Sequence, residues 1–277
     1  MDINFTNHKF SIPVVLIRGG GEKASAIAYR LHRCRFRVLI TEIEFPGAER
    51  RGVSFCEAIY KGVKEVEGVI AKKVNISTFE INSTWQENKI PIVVDPENKA
   101  RNLILPDILV DSIMAKKNLG TKISDASLVI GVGPGFKAGY DAHLVVETNP
   151  ASHDLGKVKD EGTTEAHNHI PLRVFGMDVE RIFRSPQKGI LRLVRDIGDV
   201  ASKGQIIGRV ESYPIMSPIS GVIWGIMRDG SIVKKNQKLG DIDPRGKSEY
   251  CFSIAPQALA IAGGVLEAII GNKNCFF

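Results

Sequence analysis

The period of the apolar positions changes twice between Pro13 and Glu42. Pro13-Val14-Val15-Leu16-Ile17-Arg18 is a short apolar run that ends in Gly19-Gly20-Gly21. From Glu22 to Cys34 apolar side chains recur at Ala24, Ile27, Ala28 and Leu31, the spacing of one helical face. Val38-Leu39-Ile40-Thr41-Glu42 then reads as a second buried strand. Further apolar runs at Ile90-Pro91-Ile92-Val93-Val94-Asp95, Ile108-Leu109-Val110-Asp111 and Leu128-Val129-Ile130-Gly131 predict more strands. Ser54-Phe55-Cys56-Glu57 and Ser77-Thr78-Phe79-Glu80 have the form of capping boxes that open short helices. Strands alternating with helices predict an α/β fold with a mostly parallel sheet, whose ligand lies at the carboxyl ends of the strands. Glu42, Asp95 and Asp111 stand at such ends.

The first turn is where this pattern acquires chemistry. The unit resembles the opening of a Rossmann-like dinucleotide-binding sheet, with G-x-G-x-x-A filled by Gly19, Gly21 and Ala24 and with Gly20 between the two glycines. Gly19 would make the tight turn, Gly21 would let a pyrophosphate approach the helix N-terminus, and Ala24 would let helix and strand pack closely. Glu42, about 20 residues on, is placed to accept hydrogen bonds from a ribose. Arg50 and Arg51 are candidates for additional phosphate contacts. Glu22 opposes the assignment, because a carboxylate at a helix start repels an anion.

A second glycine cluster, Gly131-Val132-Gly133-Pro134-Gly135, follows the strand at Leu128 and lacks the spacing of a P-loop. Gly133 and Gly135 could still form a backbone nest for an anion. Asp141, His143, Glu147, Thr148, Asn149 and His153 come next, and His143 with Asp141 is the one pair to nominate for acid–base catalysis. His167 and His169 are strand-spaced but read as loop residues, so no metal site is expected.

Residues 185–210 and 217–242 align without a gap at a constant offset of 32. Identities fall at Ser185/Ser217, Pro186/Pro218, Gly189/Gly221, Gly198/Gly230, Lys203/Lys235, Gln205/Gln237 and Gly208/Gly240, with apolar matches between them. A unit this small cannot bury its own apolar face, so two copies must interlock. The pair resembles the biotinyl/lipoyl barrel-sandwich hybrid. That family carries its modified lysine on the hairpin between the halves, yet no lysine occurs here from Arg209 to Met227. The resemblance therefore implies a scaffold or docking module rather than a carrier.

Composition changes the picture mainly by exclusion. A chain of 277 residues that is 43% hydrophobic and 25% charged can bury a large core, and its length favours two domains. The net charge of +6 is scattered and aromatics are few, against a nucleic-acid platform. The four cysteines are far apart, no signal peptide is evident, and no apolar run approaches bilayer length, so a cytoplasmic protein with no membrane partner is expected. The expected organisation is a Rossmann-like nucleotide-binding domain over 1–175, the repeat-built β domain over 176–248, and a C-terminal helix over 249–277 packing back on the first.

Taken together, the chain resembles the accessory-protein family of the selenium-dependent molybdenum hydroxylase system. The matching stretches are Arg18-Gly19-Gly20-Gly21, Arg50-Arg51-Gly52-Val53-Ser54-Phe55, Val110-Asp111 with Met114-Ala115-Lys116-Lys117-Asn118, Gly133-Pro134-Gly135-Phe136, Val146-Glu147-Thr148-Asn149, Gly240-Asp241-Ile242-Asp243-Pro244-Arg245 and Gly263-Gly264-Val265-Leu266-Glu267-Ala268. The family pattern continues Arg-Gly-His where this chain has Pro150-Ala151-Ser152 before His153, so an anion contact from that arginine is absent. The resemblance implies a maturation factor that binds a nucleotide-bearing ligand, NAD or a dinucleotide form of the molybdenum cofactor. Its partner would be a molybdenum hydroxylase or that enzyme's maturation proteins. An NAD-dependent oxidoreductase and a non-catalytic adaptor are the alternatives.

Overall fold

A computed structural model describes residues 12–166 and 173–272. His167 and His169 fall outside the described residues. The chain opens with β1 (Val14–Arg18), α1 (Glu22–Arg33) and β2 (Arg37–Glu42), the elements that the apolar periodicity predicts. It continues through α2 (Glu57–Lys61), β3 (Val63–Val66), β4 (Val69–Lys73), α3 (Thr78–Gln86), β5 (Ile90–Val94), α4 (Ala100–Ile104), β6 (Ile108–Asp111) and β7 (Leu128–Val132). Five short strands follow: β8 (Lys137–Ala138), β9 (Leu144–Val146), β10 (Val158–Lys159), β11 (Gly162–Thr163) and, opening the second domain, β12 (Ile182–Arg184).

Nine of these strands form one mostly parallel sheet in the order β10-β9-β7-β6-β1-β2-β5-β4-β3. Only its rims, β10 on β9 and β3 on β4, pair antiparallel. The chain leaves β1 toward β2 and later returns to place β6 on the opposite side of β1. Strand order therefore reverses there, and the loops after β1 and β6 part above the sheet to leave a crevice. Both sheet faces are covered, as continuous apolar strands require. Val15, Ile17 and Ile40 face a core shared with α1, whereas Leu16, Leu39 and Leu109 face the side of Ile81 and Ala100.

Two small antiparallel sheets make up the second domain. Its remaining strands are β13 (Gly189–Leu193), β14 (Val200–Ala201), β15 (Ile206–Val210), β16 (Tyr213–Met216), β17 (Gly221–Ile226), β18 (Ile232–Val233) and β19 (Lys238–Asp243). The sheets run β12-β19-β17-β14 and β16-β15-β13-β18, so each copy of the repeat lends one short strand to the other's sheet. Reciprocal hydrogen bonds express the internal symmetry. Ser185 N–H donates to Gln237 O and Ser217 N–H to Gln205 O, while Gly198 N–H donates to Ile223 O and Gly230 N–H to Leu191 O. Apolar residues of both copies, among them Leu191, Ile207, Ile223 and Leu239, then share one core. Exchange of strands is what lets two half-units, each too small alone, bury a common face.

The chain ends in α5 (Pro256–Ile270), which returns to the parallel sheet and buries Ile261, Ala262, Val265 and Ile269 in the core with α1. One expectation needs correcting at this end of the chain. The stretch Ser248–Ile270, 23 residues, holds an 18-residue window of mean hydropathy 1.6, long and apolar enough to cross a membrane by length and composition, although half of that window is buried inside the protein as in the core helix of a soluble protein. A second correction concerns the capping boxes. At α3, Ser77 accepts from Glu80 N–H at 3.5 Å, but Ser54 donates instead to Arg50 O at 2.8 Å and caps nothing.

Candidate functional site

A cavity of about 830 Å³ lies over the carboxyl ends of the parallel strands and is roofed by the second domain. Its floor is made by Gly19, Gly20 and Gly21 after β1, Glu42 at the end of β2, Ser112 after β6 and Thr148 beyond β9. Its roof includes Arg181, Trp224, Lys238 and Asp241. The crevice expected at the point of strand-order reversal is thus present, with a second domain above it.

The glycine turn has a division of labour. Gly19 has φ +92, and a Cβ there would lie 2.9 Å from Ser112 O, so this position closes the turn against the strand that flanks the crevice. Gly20 presses on Cys56, whereas a Cβ at Gly21 would meet no described atom within 4 Å. Gly21 is also the N-cap of α1 and has no side-chain cap. The helix start accordingly presents unfilled space and backbone donors to the cavity.

Glu42 faces this turn. Its carboxylate accepts from Gly20 N–H and from Ile43 N–H, each at 2.8 Å. Burial pushes its pKa above the ordinary carboxylate range, and the two amide donors pull the other way without cancelling the effect. Replacing Glu42 with Gln turns one acceptor into a donor facing a backbone N–H. The expected result is a loss of about 1–3 kcal/mol of stability in urea unfolding, from a buried amide left unpaired. An unchanged midpoint would show that Glu42 is not bound to the turn.

The two arginines proposed for phosphate do other work. Arg50 donates from Nη1 to Trp224 O at 2.8 Å and Cys251 O at 3.2 Å, and from Nη2 to Ser253 O at 3.1 Å. Its guanidinium lies 4.2 Å from the centroid of the Trp224 ring. Arg51 donates to Ile226 O at 2.8 Å and pairs with Asp196. Both side chains are spent tying the first domain to the second. Arg50 also holds Glu22 at 3.2 Å, which answers the carboxylate at the start of α1 with an adjacent positive charge.

Corrections extend to the second glycine cluster and the catalytic pair. Gly133 and Gly135 have φ +85 and +104, and Cβ atoms there would lie 2.7 Å from Thr148 Oγ1 and 2.8 Å from Lys117 Cα. They are close-packing positions outside the lining of this cavity. Asp141 accepts from Lys137 N–H at 2.8 Å and from Asn118 Nδ2 at 3.2 Å, fixing a turn. His143 Nδ1 accepts from Val129 N–H at 3.0 Å, and burial lowers its pKa. Neither residue lines the cavity, so the structure does not bring the nominated pair to it. Asp95 likewise accepts from Lys99 N–H and Ala100 N–H and starts α4. Asp111 pairs with Arg18 at 3.0 Å and accepts from the Thr121 hydroxyl at 2.6 Å. Among the described residues, no group of three or more His, Cys, Asp or Glu side chains could hold a metal.

Several cavity residues were given no role by the sequence reading. Ser112 Oγ, Thr148 Oγ1 and Asp241 Oδ1 are buried and have no hydrogen-bond partner among the described residues. Their residues are 3%, 1% and 5% exposed, and all three line this one cavity. Buried polar groups are ordinarily paired, so three orphans in one place mark positions for a ligand or for ordered water. Lys238 Nζ sits 2.6 Å from Glu49 and 3.5 Å from Asp241. Burial acts to lower the Lys238 pKa, but Asp241 and Glu49 outweigh it and hold it above the ordinary lysine value. Burial raises the Glu49 carboxyl. Cys56 also lines the cavity, but burial, reinforced by Glu42 and Glu57, pushes its thiol far up and keeps it a poor nucleophile.

One signal could have found the roof. Trp224, Lys238 and Asp241 align with Arg192, Ile206 and Arg209 in the other copy of the repeat. The copies diverge at those positions because one faces the cavity while its counterpart faces solvent.

No protein-family model matches the chain. Among solved structures, it is similar to the product-bound and apo forms of the ectoine utilization protein EutE (DoeB) from Ruegeria pomeroyi, at 11% and 10% identity and TM-scores of 0.26 and 0.25. It is similar at 14% identity and a TM-score of 0.26 to a succinylglutamate desuccinylase/aspartoacylase from Rhodobacter sphaeroides. Each comparison covers 84% of this chain and 85–86% of the other, and likenesses this remote have no bearing on function. Sequence similarity is stronger: the chain is 38% identical over 264 residues to the uncharacterized protein YqeB of Escherichia coli strain K12. That match covers 95% of this chain and 48% of YqeB, so the chain spans about half the length of this curated relative.

Proposed function

We propose that the protein is an accessory factor of a selenium-dependent molybdenum hydroxylase system that binds a nucleotide-bearing ligand between its two domains. The link to that system comes from the sequence resemblance. The binding role is supported above all by the cavity, which joins the open helix start at Gly21 to three buried polar atoms without partners. On this reading the first domain is Rossmann-like and the duplicated domain is a barrel-sandwich hybrid that serves as a lid and scaffold.

Size favours an extended ligand. From β2, which carries Glu42, to β9, which precedes Thr148, there are four strand spacings, about 19 Å at ~4.8 Å each. Phosphates would lie at the start of α1, where the helix dipole and free amides attract anions. Glu42 retains lone pairs beyond its two amide bonds and would accept from a ribose hydroxyl. Its charge would repel a 2′-phosphate, so NAD should bind better than NADP. An oxidoreductase reading is weakened by the structural roles of Asp141 and His143, which leave it without its nominated acid–base pair.

Gly21→Val tests the site directly. Gly21 has φ −70, a value open to valine, and the new side chain would project into unfilled space. The expected result is an unchanged melting temperature with NAD and GDP affinity reduced at least tenfold by isothermal titration calorimetry. If the parent protein binds neither NAD, NADP, ADP nor GDP, the adaptor reading replaces this one.

A further inference from the structure

We propose that Asp241, on the roof of the cavity, determines which ligand is accepted by reading a 2-amino-4-oxopyrimidine edge, the donor face shared by guanine and the pterins. The inference rests on the reading of the cavity as a nucleotide site and gives the second domain a part in recognition. Asp241 belongs to β19, lines the cavity and is 5% exposed. Its Oδ2 faces two cations, Lys238 Nζ at 3.5 Å and Arg181 Nη1 at 4.0 Å. Its Oδ1 has no hydrogen-bond partner among the described residues. The side chain is thus held in place by charge on one side and left unsatisfied on the other.

A carboxylate can only accept, so the ligand atom opposite must carry a proton. Among heterocyclic edges, adenine and cytosine present an amino group beside a ring nitrogen whose lone pair would face the carboxylate. Uracil places its single N–H between two carbonyls. Guanine, through N1–H, and the pterins, through N3–H, instead present a ring N–H and the 2-amino group side by side, with no acceptor between them. Two adjacent donors against one carboxylate give the strong, charge-assisted arrangement, and the mismatched edges give repulsion. Trp224 lines the same cavity but is buried, with the Arg50 and Arg181 guanidiniums 4.2 and 5.7 Å from its ring centroid, so the carboxylate rather than the indole carries the recognition. Arg209, the counterpart of Asp241 in the other copy of the repeat, is exposed, so the acid belongs to the cavity and not to the fold of the repeat.

Calorimetric titration of the full chain with GDP, IDP, ADP, XDP and neopterin monophosphate tests the assignment. GDP or neopterin monophosphate should bind at least tenfold more tightly than ADP. IDP, which lacks the 2-amino group, should fall about tenfold below GDP. The stronger of GDP and neopterin monophosphate identifies the source of the edge. Asp241→Asn keeps the volume but exchanges one acceptor for a donor, so it should weaken GDP ten- to a hundredfold while strengthening XDP. Equal affinity of the parent for GDP, IDP and ADP would overturn the inference and leave the nucleotide reading intact. A uniform loss of all ligands in a folded Asp241→Asn protein would also overturn it, because that is what a merely structural role predicts. Should no ligand bind the parent, NAD included, the nucleotide reading itself falls and this inference with it.

Discussion

Arg50→Ala is expected to cost about 3–5 kcal/mol of stability, the range for stripping one partner from a buried charged network. The side chain arises from the first domain, yet its donors end on Trp224 O, Tyr250 O, Cys251 O and Ser253 O. Truncation removes a donor from each of those carbonyls, of which Tyr250 O still accepts from the Trp224 indole N–H, frees the Glu22 carboxylate and removes the Arg50 cation from the face of Trp224. Lysine should restore less than half of the loss. A point charge with three tetrahedral donors cannot reproduce a planar fork that serves several carbonyls and also stacks on an indole. Urea unfolding of the parent, Arg50→Ala and Arg50→Lys measures both values. A difference under about 1 kcal/mol between parent and alanine variant would show that the domains are held together by other contacts.

The second large effect is expected at a glycine with no unusual backbone conformation. Gly264 lies in the middle of α5, where a Cβ would come within 1.9 Å of Gly156 O and 3.1 Å of Val146 Cγ1. Backbone cannot yield as a flexible side chain can, so Gly264→Ala must push α5 off the sheet. The cost should reach or exceed the top of the ~1–3 kcal/mol usual for overpacking. Its neighbour supplies the control. At Gly263 the nearest atom to a built Cβ is Arg30 Nη1, at 3.8 Å. Gly263→Ala should be neutral or stabilise by up to about 1 kcal/mol through helix propensity. Thermal melts of the two variants should therefore move apart. If both shift alike, the close approach of α5 to the 156 turn is not what fixes its position.

These two sites show where the sequence could and could not be read. Arg50 is legible in the chain as a charge shortly after the glycine turn, and it lines the same cavity as Gly19–Gly21. Its partners did not follow, because they are main-chain carbonyls 174 or more residues away. Gly263 and Gly264 look identical in the chain, and only the packing of α5 distinguishes them.

Local rules determined a good deal without tertiary help. The switch from a continuous apolar run to helical spacing and back dictated β1, α1 and β2, since burying both faces of a parallel strand demands unbroken apolar side chains. The offset of 32 residues dictated two interlocked half-units, because neither copy could bury its face alone. The glycine turn and Glu42 were also legible, and Glu42 does reach the turn. What only the tertiary structure decided is the roles of individual polar residues. Arg50 and Arg51 tie the domains together, Asp141 and His143 fix a turn and a strand start, and Ser112, Thr148 and Asp241 are left facing a cavity. The reason is physical. Elements follow from the periodicity of burial over a few residues, whereas a polar side chain's role depends on which distant donor or acceptor satisfies it once water is excluded.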